Sequence, residues 1–92
     1  MPVSIENQVV LVVGASSGIG RETVSSFARE GARVMASARR EARLRELQES
    51  LAGEGRTVET FATDAADASQ MENLARHTRG RSGEIDILVF AI

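Results

Sequence analysis

Several residue types are missing or scarce in this chain, and each shortage excludes a kind of site or partner. There is no cysteine, so the chain can form neither a disulfide framework nor a thiolate metal site. Aromatic residues make up 3% of the sequence, which leaves few stacking surfaces for single-stranded nucleic acid. No apolar run approaches the roughly 20 residues of a membrane span. We therefore expect a soluble protein of the cytoplasm, a compartment with which the lack of cysteine is compatible.

The chain also lacks a large excess of charge of either sign. Its 11 basic and 13 acidic residues give a net charge of −2, and arginines are interspersed with glutamates. This mixture argues against a nucleic acid or another polyanion as partner. The length of 92 residues allows one small domain, which buries only roughly 60–65% of the surface that its unfolded chain exposes.

Apolar and amphipathic segments alternate along the whole chain. Continuous apolar or β-branched runs predict strands over residues 8–13, 33–38, 57–62 and 85–91. Apolar residues at helical spacing predict helices over residues 19–30, 40–52 and 67–79, with Gly31 and Gly80 placed to follow the first and the third. Right-handed crossovers make such strands parallel and put helices on both faces. We therefore predict an α/β fold, a doubly wound Rossmann-type sheet with the strand order 3-2-1-4.

The fourth predicted strand reaches the last residues of the chain, Phe90-Ala91-Ile92, with no polar segment after it. In a doubly wound sheet this strand is interior and pairs with a fifth, and left alone it would be an exposed apolar edge. We therefore expect residues 1–92 to form a nucleotide-binding domain that is incomplete at its C-terminal end, as the N-terminal part of a larger fold. An independent small domain is the alternative.

The first predicted strand runs directly into a glycine-rich turn with the spacing Gly-x-x-x-Gly-x-Gly. Its glycines would let the backbone approach a pyrophosphate, and the following helix offers unpaired N–H groups and a positive dipole end. The Ser16 and Ser17 hydroxyls can donate to ribose or phosphate oxygens. We expect the Ile19 N–H to point toward the pyrophosphate while the Ile19 side chain packs beneath. A tight turn without a ligand is the alternative. The glycines of the turn are Gly14, Gly18 and Gly20.

The segment Gly14-Ala15-Ser16-Ser17-Gly18-Ile19-Gly20 resembles the cofactor loop of the short-chain dehydrogenase/reductase family. The resemblance extends over the whole chain and includes Gly31-Ala32-Arg33-Val34, Asp64 and Asp86-Ile87-Leu88-Val89. It implies a tyrosine-dependent oxidoreductase that transfers hydride between NAD(P) and a carbonyl or alcohol substrate. It also implies a homo-oligomer.

The end of the second predicted strand favours NADP over NAD. In NAD enzymes of this fold an acidic residue at this place contacts the ribose 2′-OH, and the residue here is Ala38. A small neutral side chain leaves space for a 2′-phosphate, which Arg39 can meet with a charge-assisted contact. Ser37 is a further hydroxyl donor to the same phosphate. The alternative is that Arg39 and Arg40 simply begin a solvated helix.

Asp64 follows the third predicted strand. The family resemblance implies that its carboxylate accepts from the adenine amino group, with the backbone N–H of Ala65 nearby. The alternative is that Asp64 caps the third helix or turns the chain before it, a role that we also expect for Asp67. Asp86 matches a family position as well, but near the start of the fourth strand we expect it to make structural contacts.

Two neighbouring positions depart from the family's pattern. Val13 stands where the family usually has a threonine, and Phe90-Ala91-Ile92 stands where it continues with two asparagines. In the family the threonine hydroxyl bonds to the turn after the fourth strand. Because the first and fourth strands are adjacent in the predicted sheet, we expect apolar packing of Val13 against the fourth strand to replace that contact.

The residues that catalyse hydride transfer in this family are a serine, a tyrosine, a lysine and an asparagine beyond the fourth strand. Residues 1–92 contain no tyrosine and no lysine, and the single histidine, His77, has no partner for acid–base or metal chemistry. We therefore predict no catalytic residue, no metal site and no turnover for these residues alone. A non-catalytic nucleotide-binding or redox-sensing module is the alternative function, and a structural α/β unit that binds no dinucleotide is a third.

Overall fold

The computed structural model describes residues 4–16 and 18–91. The strands are β1 (Val9–Val13), β2 (Arg33–Ala38), β3 (Glu59–Ala62) and β4 (Ile87–Phe90). The helices are α1 (Gly18–Arg29), α2 (Glu41–Ala52) and α3 (Ala68–Ser82). All strands are parallel and form one sheet in the order β3-β2-β1-β4. The predicted fold class and strand order are confirmed.

β1 is the centre of the sheet because it pairs with β2 on one side and β4 on the other. All of its residues are buried, and alternate side chains enter two different cores. Val10 and Val12 belong to the larger core, with residues of α1 and α2, whereas Leu11 and Val13 pack with Leu74 of α3. Helices on both faces therefore explain why this strand is apolar at every position rather than at alternate ones.

The pairing of β1 with β4 brings the two departures from the family's pattern together. Val13 lies directly opposite Phe90 in the register of these strands, and Ala91 N–H donates to the Val13 carbonyl at 2.8 Å. Val13 itself is buried, while Phe90 is exposed over 56% of its surface. The predicted proximity of Val13 to the fourth strand is thus confirmed.

The ends of α1 and α3 show how glycine acts at a helix terminus. Gly31 follows α1 with φ of +85°, and its N–H donates to the Ala28 carbonyl, as predicted for a helix end. The predicted end of α3 is wrong. Gly80 lies inside the helix, because a single glycine is tolerated there at a cost of about 1 kcal/mol. α3 instead ends before Gly83, whose φ is +99° and whose N–H donates to Arg79.

The starts of five elements lie one or two residues later than the sequence pattern predicts. β1 and α2 begin at Val9 and Glu41, one residue later, whereas β3 and β4 begin at Glu59 and Ile87, two residues later. α3 begins after Asp67, whose carboxylate accepts from Gln70 N–H and so caps the helix.

In residues 4–16 and 18–91, no helix has the length and apolar character needed to cross a membrane.

Asp86 fastens the beginning of β1 to the chain before β4. Its carboxylate Oδ2 accepts from the Val9 N–H at 2.8 Å, and its own N–H donates to the Val9 carbonyl at 2.9 Å. The predicted structural role of Asp86 is confirmed by this pair of bonds.

We expect Asp86→Ala to lower the free energy of unfolding by about 1–2 kcal/mol, because it removes a charged acceptor from a backbone N–H. Urea unfolding followed by circular dichroism measures the change. The matched control is Glu84→Ala, an exposed carboxylate nearby, which should change stability by less than about 0.5 kcal/mol. Equal effects of the two substitutions would contradict the role given to Asp86.

Candidate functional site

A cavity of about 460 Å³ opens at the carboxyl ends of all the strands. In open parallel sheets, ligands bind at this edge where the strand order reverses, which here is the boundary between β1 and β4. The end of each strand, or the segment directly after it, contributes residues to the wall. The lining residues are Val13, Gly14, Ser16, Ala38, Arg39, Thr63, Asp64, Ala65, Ala66 and Phe90.

A larger groove of about 650 Å³ runs along the outside of α1. It is lined by this one helix, from Gly18 to Glu30, and includes the exposed side chain of Ile19 and the half-buried ring of Phe27. No strand end contributes to it. The smaller cavity is the better candidate site because polar groups from several strands converge there.

The glycine turn brings α1 against the end of β1 at a distance that only glycine permits. A Cβ at Gly20 would overlap the carbonyl oxygen of Gly14 and approach the Ala15 Cα to 3.1 Å. Gly14 and Gly18 have φ of +91° and +59°, which lie in the left-handed region. Among the described residues, and leaving aside its chain neighbours, a Cβ at Gly18 would meet nothing within 4 Å, so these residues leave the space in front of the turn open. The turn therefore leaves room for another group to come close to its backbone.

The first two amides of the turn are already used by the protein. Gly14 N–H and Ala15 N–H both donate to the Ser37 carbonyl, at 2.9 and 3.0 Å. These bonds attach the turn to the end of β2. Because the first N–H groups of an α-helix have no acceptor within the helix, the amides available to a ligand belong to the first turn of α1, which includes the Ile19 N–H.

The predicted position of the Ile19 side chain is wrong. Ile19 is 81% exposed, because α1 faces the core with Gly20, Val24 and Ala28 instead. The contact of its N–H with a pyrophosphate stays a prediction. Ser16 is half-buried and lines the cavity, whereas Ser17 lies outside the described residues.

The site residues predicted at the end of β2 lie in different surroundings in the structure. Arg39 is exposed and lines the cavity, next to the buried Ala38. Ser37 is fully buried, and its hydroxyl donates to the Phe61 carbonyl at 2.8 Å. Ser37 does not line the cavity, and its contact with a phosphate stays a prediction. Arg40 occupies the N-cap position of α2 and does not line the cavity.

Asp64 and Ala65 both line the cavity after β3. Asp64 N–H donates to Gln70 Oε1 at 2.8 Å, and its carboxylate Oδ1 accepts from Ala66 N–H at 3.0 Å. Asp64 thus takes part in the turn before α3, which was the alternative to a contact with adenine. Among the described residues only Oδ1 of this carboxylate accepts a hydrogen bond, so the adenine contact stays a prediction.

Thr63 is not among the residues that the sequence predicts for the site. It is 4% exposed and lines the cavity, and its Oγ1 has no hydrogen-bond partner among the described residues. The available signal is a hydroxyl directly between the end of β3 and Asp64. His77 lies elsewhere, where its ring stacks on Phe61 with centroids 4.3 Å apart.

We expect Gly20→Ala to destabilise the chain by more than about 2 kcal/mol, because backbone atoms of Gly14 and Ala15 occupy the space of the new Cβ. Chemical unfolding of the purified protein measures this loss. Gly80→Ala is the control, since it adds the same methyl to a helix where nothing lies within 4 Å. That control should gain about 0.5–1 kcal/mol. A Gly20→Ala protein as stable as the unsubstituted one would contradict the close approach.

Comparison with known proteins places this architecture in a family. The family model of the short chain dehydrogenases matches residues 8–91. The glycine betaine reductase ATRR of Emericella nidulans is 42% identical over 85 residues, which cover 92% of this chain and 7% of that protein. The probable oxidoreductase EphD of Mycobacterium tuberculosis is 38% identical over 81 residues, which cover 88% of this chain and 14% of that protein.

Solved structures agree with the sequence relatives. Glucose dehydrogenase of Caenorhabditis elegans superposes with a TM-score of 0.87 at 31% identity, over 94% of this chain and 38% of that one. The protein gox2181 gives a TM-score of 0.88 at 32% identity, over 92% of this chain and 33% of that one. This chain therefore spans well under half the length of these relatives and neighbours. Its family match covers nearly all its residues, and the chain belongs to the short-chain dehydrogenase family.

Proposed function

We propose that this chain is the NADP-binding part of an oxidoreductase that transfers hydride between NADP(H) and a carbonyl or alcohol substrate. The observation that carries the choice of cofactor is the exposed guanidinium of Arg39 in the cavity wall, next to the buried methyl group of Ala38. Family membership supports redox chemistry with a nicotinamide dinucleotide. The names of the relatives, a reductase and a dehydrogenase, support carbonyl and alcohol groups as the substrate class.

The residues present fit a bound dinucleotide. The open space before Gly18 and the close packing of Gly20 on Gly14 leave room for a pyrophosphate at the positive end of α1. Ser16 offers a hydroxyl at the same edge, and Asp64 and Ala65 stand across the cavity for the adenine. When bound, NADP supplies the nicotinamide ring that gives or takes the hydride. The residues described here bind and orient it.

Charge at the cavity mouth favours the phosphorylated cofactor. Arg39 is the only cation and Asp64 the only carboxylate among the lining residues. The carboxylate follows β3, so the end of β2 presents a cation where NAD enzymes of this fold present an acid. The guanidinium is exposed to water. We therefore expect its contact with a 2′-phosphate to contribute about 1.5 kcal/mol to the free energy of binding, near the lower limit for a charge-assisted hydrogen bond.

A nucleotide-binding or redox-sensing module without hydride transfer is the second candidate. It is favoured by Phe90, an apolar ring in the cavity wall at a position where the family usually has an asparagine. A Tyr-x-x-x-Lys motif with an upstream serine in the same polypeptide would support the enzyme, and its absence would support the module. We also propose self-association of the whole protein, on the strength of the family resemblance, and a cytoplasmic location, with which the lack of cysteine in residues 1–92 is compatible.

Arg39→Ala should weaken NADP binding about 10-fold, while NAD binding stays within about twofold, because only NADP carries the 2′-phosphate. Calorimetric titration of the chain with each cofactor measures both affinities. Arg40→Ala is the matched control, since it removes an adjacent exposed arginine that lies outside the cavity wall. It should leave both affinities unchanged.

The reciprocal substitution is Ala38→Asp, which places a carboxylate at the end of β2. We expect it to weaken NADP binding by charge repulsion and to strengthen NAD binding through the ribose 2′-OH. If the unsubstituted chain binds NAD as tightly as NADP, or if Arg39→Ala leaves their ratio unchanged, the proposed cofactor preference is wrong.

A further inference from the structure

The buried hydroxyl of Thr63 is the one polar side-chain atom of low exposure that the described residues leave without a partner. An unpaired buried hydroxyl costs free energy, so a folded protein rarely keeps one without a reason. Thr63 lines the cavity at the strand ends, and its hydroxyl oxygen is buried in the wall of that cavity. None of the contacts assigned above uses this hydroxyl.

Neighbouring contacts show which side of the cavity Thr63 occupies. Its N–H donates to the Ala38 carbonyl at 2.9 Å, so it continues the pairing of β3 with β2 beyond the last ladder position. Phe61 and Ala65, two residues before and after it, both pack against the core under α3. Ala38 belongs to the opposite core, under α1 and α2. Because alternate residues of an extended segment share a face, Thr63 lies on the α3 side of the sheet.

The wall on the α3 side is suited to a flat, mostly apolar group. Val13 and Phe90 face each other across the β1–β4 pair and both line the cavity, as does Ala65. The same wall contains the exposed side chain of Arg39. Its apolar residues therefore offer a surface for a base, whereas its cation suits the 2′-phosphate.

We propose that Thr63 is a further binding residue of this site, whose hydroxyl hydrogen-bonds to the adenine base of the bound dinucleotide. The proposal rests on the function proposed above. A hydroxyl can donate to a ring nitrogen or accept from the exocyclic amino group, so it can serve either edge of the purine. It would act together with the Asp64 carboxylate and the Ala65 N–H. Binding would then satisfy an atom that the unliganded protein leaves unpaired.

Thr63→Val tests the proposal because it replaces the hydroxyl by a methyl group of nearly the same shape. NADP and NAD share the adenine, so we expect this variant to bind both about 2- to 10-fold more weakly and by the same factor. It should bind 5′-AMP more weakly by that factor as well. The unliganded variant should have a higher midpoint of thermal unfolding, since an unpaired buried hydroxyl is removed. Thr63→Ser should retain the affinity for all three nucleotides.

The matched control is Thr78→Val, in which the buried hydroxyl bonds to the Leu74 carbonyl within α3 at 2.8 Å, away from the cavity. It should leave all three affinities unchanged. Calorimetric titrations and thermal unfolding of the unliganded proteins supply the measurements.

Two results would overturn the role of Thr63 while leaving the proposed function intact. One is an unchanged affinity of Thr63→Val for NADP and NAD, and the other is a lower unfolding midpoint or a failure to fold, which would give its hydroxyl a structural role. A loss confined to NADP would place the hydroxyl at the 2′-phosphate and contradict the adenine contact. If the unsubstituted chain binds none of the nucleotides, both proposals fall. If Thr63→Val weakens both cofactors but Arg39→Ala leaves their ratio unchanged, only the preference for NADP fails.

Discussion

The close contact between the start of α1 and the end of β1 is the constraint on which the rest of the structure depends. Gly20 lies so near the Gly14 carbonyl that no side chain fits between them. This contact sets the direction in which α1 leaves the sheet, and α1 in turn buries Val24 and Ala28 in the larger core. The same contact leaves the first turn of the helix facing the open space before Gly18. The packing of α1 on β1 and the space for a ligand therefore both depend on the glycines of this turn.

A second feature of the site is the mixed chemistry of its wall. The N–H groups of Gly14 and Ala15 attach the backbone after β1 to β2 through the Ser37 carbonyl. Around this junction, the wall contains the guanidinium of Arg39 and the apolar residues Val13 and Phe90. A dinucleotide carries both a charged phosphate and a flat base, and such a wall offers a contact to each.

The sequence predicts the fold well because its information is local and repeated. A continuous apolar run such as β1, followed by glycines and a helical pattern, has few alternative arrangements, and the right-handed crossover rule reduces the possible topologies further. The position of single side chains is harder to predict. Ser37 is adjacent to Arg39 in the predicted site, yet the register with β3 turns its hydroxyl toward Phe61. Ile19 is apolar, yet α1 turns it to solvent. Thr63 carries no recognisable motif, and only the lack of a partner for its hydroxyl draws attention to it.

The central claim is that the cavity at the strand ends binds a dinucleotide and prefers the form with a 2′-phosphate. Calorimetric titration of the unsubstituted chain with NADP and NAD at low and high salt tests it most directly. We expect tighter binding of NADP, by about 10-fold at low salt, and a preference that shrinks as salt screens the exposed Arg39. Equal affinities at both salt concentrations, or no binding of either cofactor, would contradict it.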